Sequence, residues 1–170
     1  MVGATDLPLH TPAALVIDAA GELRVTCKEH LHGAEGTLFE AAKPSAPFDV
    51  GGWRVAVAIC FDAAHPRHAE AAAAQGADLY LVSAFYGVGE ERRADLHLAA
   101  REMDHRMFSA LANHAGTTGG HVSCGGSGVW RPTGDTLCRA SSAAETLLVA
   151  ELDPDELAAF RSNSRKFNIS

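Results

Sequence analysis

Cys60 is the residue around which chemistry can be built. It follows the run Arg54-Val-Ala-Val-Ala-Ile59 and precedes Phe61-Asp62. The run is short, apolar and rich in β-branched residues, which predicts a buried strand. Pro66 suits the first turn of a helix. The alanine-rich segment 67–75 continues that helix, and Gly76 can close it. Residues 78–83, Asp-Leu-Tyr-Leu-Val-Ser, read as the next strand. Strand, turn, helix, strand makes the two strands parallel. Cys60 then sits at the carboxyl end of a parallel strand, where α/β sheets bind ligands and where a thiol can be activated as a nucleophile. Taken alone, such a cysteine reads more often as a small buried hydrophobe than as a nucleophile, so the flanking blocks decide. His65 and His68 stand near Cys60, but their spacing fits no common zinc pattern, and no metal or cofactor is expected.

The elements that would position Cys60 can be read in order. Residues 13–18 form a strand, 19–22 a turn with Gly21, and 23–27 the returning arm of a hairpin. Lys28-Glu-His-Leu31 follows that arm directly. Residues 32–52, rich in Gly, Ala and Pro, read as a long loop, and such loops are usually functional. A second loop at 84–91 carries Phe85 and Tyr86 and can line a pocket. Leu96, Ala100, Met103, Met107, Ala110 and Leu111 recur at helical spacing, which predicts one helix over 92–115, stopped by Gly116, with Met103 and Met107 in the core. Residues 121–130 look extended and broken by glycines. Pro132-Thr-Gly134 is a hairpin turn leading to a second arm at 136–139, and 146–150 reads as a strand. Asp153, Pro154 and Glu156 supply an N-cap, a first-turn proline and a capping box for a final helix. The polar tail 161–170 is expected to be ordered only by contact with something else.

Composition bounds the function. The chain has 170 residues, 47% hydrophobic and 21% charged, which fits one domain over 1–170 with a sizeable core. The net charge of −7 comes with no basic stripe, so nucleic acid is not an expected partner. No apolar run approaches the roughly 18–20 residues of a membrane span. Residues 1–10 have neither a charged n-region nor an apolar core, so no signal peptide is expected. Cys27, Cys60, Cys124 and Cys138 form no CxxC pair. Reduced thiols in a cytoplasm are the expectation, with all but Cys60 inert.

These blocks carry a resemblance. Gly52-Trp-Arg-Val-Ala-Val-Ala-Ile-Cys-Phe-Asp62 with Pro66 resembles the nucleophile motif of the nitrilase, or carbon–nitrogen hydrolase, superfamily. Gly76-Ala-Asp-Leu-Tyr-Leu-Val82 resembles the strand that follows it, and Lys28-Glu-His-Leu31 the lysine motif. Glu35 sits where many members carry a further glutamate. Asn113-His-Ala-Gly116 and Gly125-Gly-Ser-Gly-Val-Trp-Arg-Pro-Thr-Gly134 are similar to later family blocks. The match runs from about Ala13 to Phe160.

The resemblance implies an α/β fold of the four-layer α+β type, a partial αββα sandwich. It implies Cys60 as nucleophile, Lys28 as oxyanion cation, Glu35 as a carboxylate that orients Lys28, and the backbone N–H of Phe61 as a second oxyanion donor. The substrate class would be a non-peptide amide, an N-carbamoyl compound or a nitrile, cleaved through a cysteine acyl-enzyme. Two departures stand out. Where many members have an aromatic residue, proline and glutamate, this chain has His65-Pro66-Arg67. The family's general-base glutamate precedes the lysine in an N-terminal βαβ portion, whereas the glutamate before Lys28 here is Glu22, in the hairpin turn. The chain therefore reads as a C-terminal part of such a protein, its missing N-terminal segment carried on another chain or lost in gene calling, and a homo-oligomer is the other expectation. The alternative is a non-catalytic remnant serving as an interaction module.

Overall fold

The structure, a computed structural model, describes residues 10–141 and 143–163. Its centre is a parallel triplet. β4 (Trp53–Ile59) pairs with β5 (Leu79–Ala84), and β5 with β6 (Phe108–Asn113). Strands β1 (Ala13–Ile17) and β2 (Leu23–Cys27) form the separate antiparallel hairpin expected from the sequence. β3 (Phe48–Val50) adds an antiparallel edge to β4. Helix α1 (Pro66–Ala74) connects β4 to β5, and α2 (Glu91–His105) connects β5 to β6. The short strands β7 (Thr117–Thr118) and β8 (His121–Val122) make a small hairpin. β9 (Gly128–Trp130) and β10 (Thr136–Arg139) complete the sheet in the order β10-β9-β6-β5-β4-β3, and α3 (Pro154–Asn163) follows. No helix among the described residues is long and apolar enough to cross a membrane.

Register shows why the triplet holds. Ala56, Tyr80 and Ser109 stand in one row, and Ala58, Val82 and Leu111 in the next. These side chains, all buried, face α1 and α2. The small alanines of β4 and α1 let helix and sheet approach closely. Both crossovers place their helices on the same face, where α1 and α2 pack together.

Three expectations need correction. The helix over 92–115 is in fact α2, then a tight stop, then strand β6. Arg106 takes the left-handed conformation (φ 55°) and its N–H bonds to the Glu102 carbonyl at 2.6 Å. The following run docks beside β5 with Met107, Phe108 and Ser109 fully buried. Its alanines and leucines satisfied a helical period, but pairing with a central strand decided the outcome. The buried face of α2 is Ala94, Leu98, Arg101 and Glu102. Two polar residues thus disguised it, and Leu96 and Met103 are more than half exposed. Second, 146–150 forms no strand, and Leu147 and Val149 are over 80% exposed. Third, the long loop contains a 3-10 turn, Gly33–Thr37, and strand β3. Gly51 and Gly52 both have positive φ (56° and 86°), as a two-residue turn between antiparallel strands requires.

The final helix begins as expected, with Asp153 accepting from the Asp155 N–H at 2.8 Å. Glu156 pairs with Arg131. Arg161, placed by the sequence in a tail, lies in α3 and reaches Asp78 at 2.6 Å and the Ala77 carbonyl at 2.8 Å. Residues 164–170 lie outside the described residues.

Candidate active site

β4 ends at Ile59, and the next five residues, Cys60–Ala64, wind into a 3-10 turn before α1. Cys60 itself adopts φ 51°, a left-handed conformation that a residue with a Cβ rarely takes. Such outliers occur where the surrounding structure over-determines them, and functional turns are frequent among them. Here the over-determination comes from Asp62, 1% exposed. Its Oδ2 accepts from the Ile59 N–H at 3.0 Å, which closes the turn. Its Oδ1 accepts from the N–H groups of Glu29 (3.1 Å) and His30 (2.8 Å), and His30 Nδ1 stands 3.1 Å away. One carboxylate therefore fastens the segment after β2 to the turn after β4.

That segment carries Lys28. Its backbone is pinned on both sides, with its N–H on the Pro12 carbonyl (2.8 Å) and its carbonyl taking the Ala42 N–H (2.9 Å). Its ammonium is 2% exposed and donates to both oxygens of Glu35, at 2.8 and 2.6 Å. A buried ammonium needs such a partner, because desolvation is otherwise prohibitive. Glu35 also accepts from the His32 N–H at 2.7 Å. Burial pushes the Glu35 carboxyl up, but the hydrogen bonds from Lys28 and His32 outweigh it and hold it below its ordinary value. The structure thus brings Lys28 and Glu35 together and ties their segment to the Cys60 turn. Glu22 lies far from this in role, exposed in the hairpin turn.

Behind the turn lies a group that sequence reasoning did not assemble. His68, on α1 and buried, places Nδ1 2.7 Å from the Tyr80 hydroxyl and Nε2 3.3 Å from Glu29. Glu29 also accepts from the Ser45 N–H at 3.3 Å. His30 and His65 stack face to face, with centroids 3.9 Å apart and planes 12° apart. The Phe61 ring stands perpendicular to that of His65, with centroids 4.7 Å apart, and lies 4.7 Å from His32. The rings present faces to each other, and no group of three or more His, Cys, Asp or Glu among the described residues is arranged to hold a metal. The missed signal was Asp62: an acidic residue three positions past a strand end must find donors when buried.

The loops after β5 and β6 build a separate cluster, and the cavity beside it is not lined by Cys60, Lys28 or Glu35. Asn113 is the hub of that cluster. Its side-chain Oδ1 accepts from the Tyr86 N–H (2.8 Å), and its side-chain Nδ2 donates to the carbonyls of Tyr86 (3.2 Å) and Gly125 (2.7 Å). A cavity of about 390 Å³ opens there, lined by Ser83, Phe85, Asn113, His114 and Thr118 among others. Burial, with the nearby Cys60 sulfur next in weight, pushes the Tyr86 phenol up to about 12. Burial likewise raises the Cys27 and Cys124 thiols, which suits inert cysteines.

The profile of the carbon–nitrogen hydrolase family matches residues 10–162. A nitrilase from Pyrococcus abyssi is 30% identical over 142 residues, covering 83% of this chain and 53% of that protein. Deaminated glutathione amidase from Escherichia coli O157:H7 is 29% identical over 183 residues, covering 96% of this chain and 68% of its own. An amidase from Nesterenkonia sp. AN1, seen with acrylamide added at its active-site cysteine, superposes with a TM-score of 0.77 at 32% identity, over 91% of this chain and 61% of that one. The chain thus spans about half the length of the nitrilase and three-fifths of the amidase. With a profile match across most of its length and the same mixed α/β architecture, this chain belongs to the carbon–nitrogen hydrolase family.

Proposed function

We propose that the site cleaves a carbon–nitrogen bond of a small non-peptide amide, N-carbamoyl compound or nitrile through a cysteine acyl-enzyme. The observation that carries this reading is the buried Lys28 ammonium, held by Glu35 on a segment that Asp62 fastens to the turn presenting Cys60. The Cys60 sulfur, as thiolate, attacks the carbonyl carbon. The oxyanion that forms is held by Lys28 and by the Phe61 N–H. With an amide, collapse expels ammonia or an amine, which takes up a proton, and leaves a thioester. An N-carbamoyl compound likewise leaves a carbamoyl thioester, hydrolysed to carbamic acid. A nitrile, attacked at its nitrile carbon, gives a thioimidate protonated on nitrogen, which loses ammonia only as water adds. Water then releases the carboxylic acid and restores the thiol. The Nesterenkonia amidase, a mutant of which is seen in complex with butyramide, supports a small amide as the substrate class.

A second reading rests on a specific observation. The carboxylates around this turn are occupied: Glu35 by Lys28 and His32, Asp62 by the backbone, Glu29 by His68 and Ser45. None is left free to take protons repeatedly, and general-base catalysis is typically worth about 10²–10⁴-fold. On this reading the chain by itself is acylated or alkylated at Cys60 but turns over little, as a remnant of an enzyme.

The test is to treat the purified 170-residue chain with acrylamide and map the adducts by mass, then to assay small amides, N-carbamoyl amino acids and nitriles. Cys60 is expected to react ahead of Cys27, Cys124 and Cys138. Turnover that vanishes in Cys60→Ala establishes the hydrolase. Labelling without turnover establishes the remnant. Labelling that spares Cys60 overturns both.

A further inference from the structure

The imidazole stack beside the Cys60 turn has a geometry that the acyl-enzyme chemistry does not use. We propose that His65 is a positioning residue: its neutral ring, stacked on His30, clamps His30 against Asp62 and so holds the Phe61 peptide and the Lys28 segment in register. The proposal rests on Cys60 being the reacting thiol, and its test separates the two.

The clamp is visible atom by atom. His65 ends the 3-10 turn, its N–H on the Asp62 carbonyl at 3.0 Å, and leads into Pro66 of α1. Its ring lies between two others, His30 at 3.9 Å and nearly parallel, and Phe61 at 4.7 Å and edge-on. The His30 ring is at the same time 3.1 Å from Asp62 Oδ1 through Nδ1. Stacked on the face of His30 while Asp62 holds its edge, His65 fixes the plane of that ring and so closes a circuit from the turn, through the rings, to the segment carrying Lys28, and back through Asp62.

His65 does this by its face alone. Its Nε2 is buried and has no hydrogen-bond partner among the described residues. A ring placed for hydrogen bonding would not leave that nitrogen orphaned. A ring placed for stacking can, provided it stays neutral, because protonation would bury an N–H with no acceptor. The groups facing the stack are Asp62 from the turn, Glu29, His30 and His32 from the segment after β2, His68 from α1 and Tyr80 from β5. Burial, then the neighbouring His30, with His68 adding to them, hold the His65 imidazole below its ordinary range despite the opposing pull of Asp62. Acidification that charges His65 buries an N–H with no acceptor and opens the clamp. Cys60 should therefore lose reactivity toward acid more steeply than thiol ionisation alone allows, roughly tenfold per pH unit below the thiol pKa.

Two variants separate stacking from mere packing. His65→Phe keeps a flat ring that cannot be protonated, and His65→Ala removes it. Iodoacetamide labelling of Cys60 is followed by peptide mass mapping from pH 5 to 8, with Cys138 of the same chain as reference. His65→Phe is expected to match the wild type within about twofold at pH 8 and to follow the simple thiol slope below pH 6.5, whereas His65→Ala is slowed about tenfold throughout. A parallel titration of the His65 ring by NMR reads the stack without reference to Cys60. Its midpoint should lie low in the wild type and rise in His30→Asn, which removes the ring but keeps an amide donor for Asp62. If His65 titrates as an ordinary histidine, or if the Cys60 profiles of wild type and His65→Phe coincide, the positioning role is overturned. If His65 behaves as expected while Cys60 is no more reactive than Cys138, the clamp stands and the reading of Cys60 falls.

Discussion

Asp62, beneath the Cys60 turn, and Glu102, between α2 and the sheet, are 1% and 0% exposed. Their surroundings differ completely. Asp62 meets the N–H groups of Ile59, Glu29 and His30, all fixed by backbone. Glu102 receives the Ser109 hydroxyl on one oxygen, while the other has no partner among the described residues. Burial pushes its carboxyl up to about 10, against a modest pull from Arg101. It is therefore neutral at pH 7. Depth alone does not decide what a buried carboxyl becomes; the donors it meets do. In one region the protein uses a carboxylate to tie distant segments together, and in the other it tolerates an acid as filling.

The sharpest way to break the comparison is Asp62→Asn. An amide turns an N–H donor toward backbone N–H groups that need an acceptor. Losing one side of such a buried network typically costs about 3–5 kcal/mol. At about 2–4 °C per kcal/mol for a chain of this size, thermal unfolding should fall well below the wild type, and Cys60 labelling should slow with it. A melting curve within a degree or two of the wild type would show that Asp62 is not the tie.

Glu102→Gln should act in the other direction. The folded state holds a proton that the unfolded chain releases above its ordinary value of 4.5. Glu102 thus lowers stability progressively as pH rises from 4.5 toward 10, and its contribution is most favourable below 4.5. Glutamine, which cannot ionise, should remove that slope and stabilise the chain by at least about 1 kcal/mol at pH 8, with little change at pH 5. Equal effects at both pH values, by denaturant titration, would contradict the neutral-acid assignment.

Smaller changes refine the Asp62 side. Tyr80→Phe deletes the hydroxyl 2.7 Å from His68 and should cost about 1–2 kcal/mol. Lys28→Met replaces a buried ammonium with an apolar chain of similar length and leaves Glu35 partly solvated. Its effect on unfolding should be near zero or slightly stabilising, while Cys60 labelling slows. A large loss of stability would make Lys28 a structural residue first.

The parts of this fold that the sequence displayed were those specified locally. The run at 54–59, Pro66 and Gly76 mark strand, helix start and helix stop within a few residues of one another, and β4, α1 and β5 follow. The hairpin β1–β2 and the start of α3 are of the same kind. β6 was hidden because its buried face carries the polar Ser109 and Asn113 with Leu111, while the other face carries Phe108, Ala110 and Ala112, so polarity does not alternate with burial. β3 was announced only by Gly51-Gly52, a turn signal that went unread inside a long loop. In the site, Lys28, Glu35 and Cys60 came from motif resemblance. The contacts that organise them could not, since Asp62 meets partners more than thirty positions earlier in the chain, and His65 acts through a ring face that no spacing rule records.

The left-handed backbone at Cys60 sets stability and reactivity against each other at that one position. Any side chain there strains the turn by about 1–2 kcal/mol, which glycine would relieve. Selection for robustness alone would therefore drift toward glycine, and only use of the sulfur opposes that drift. Among chains descended from this one, the residue at 60 is thus a gauge of whether the chemistry is still under selection, one that can be read before any assay is run.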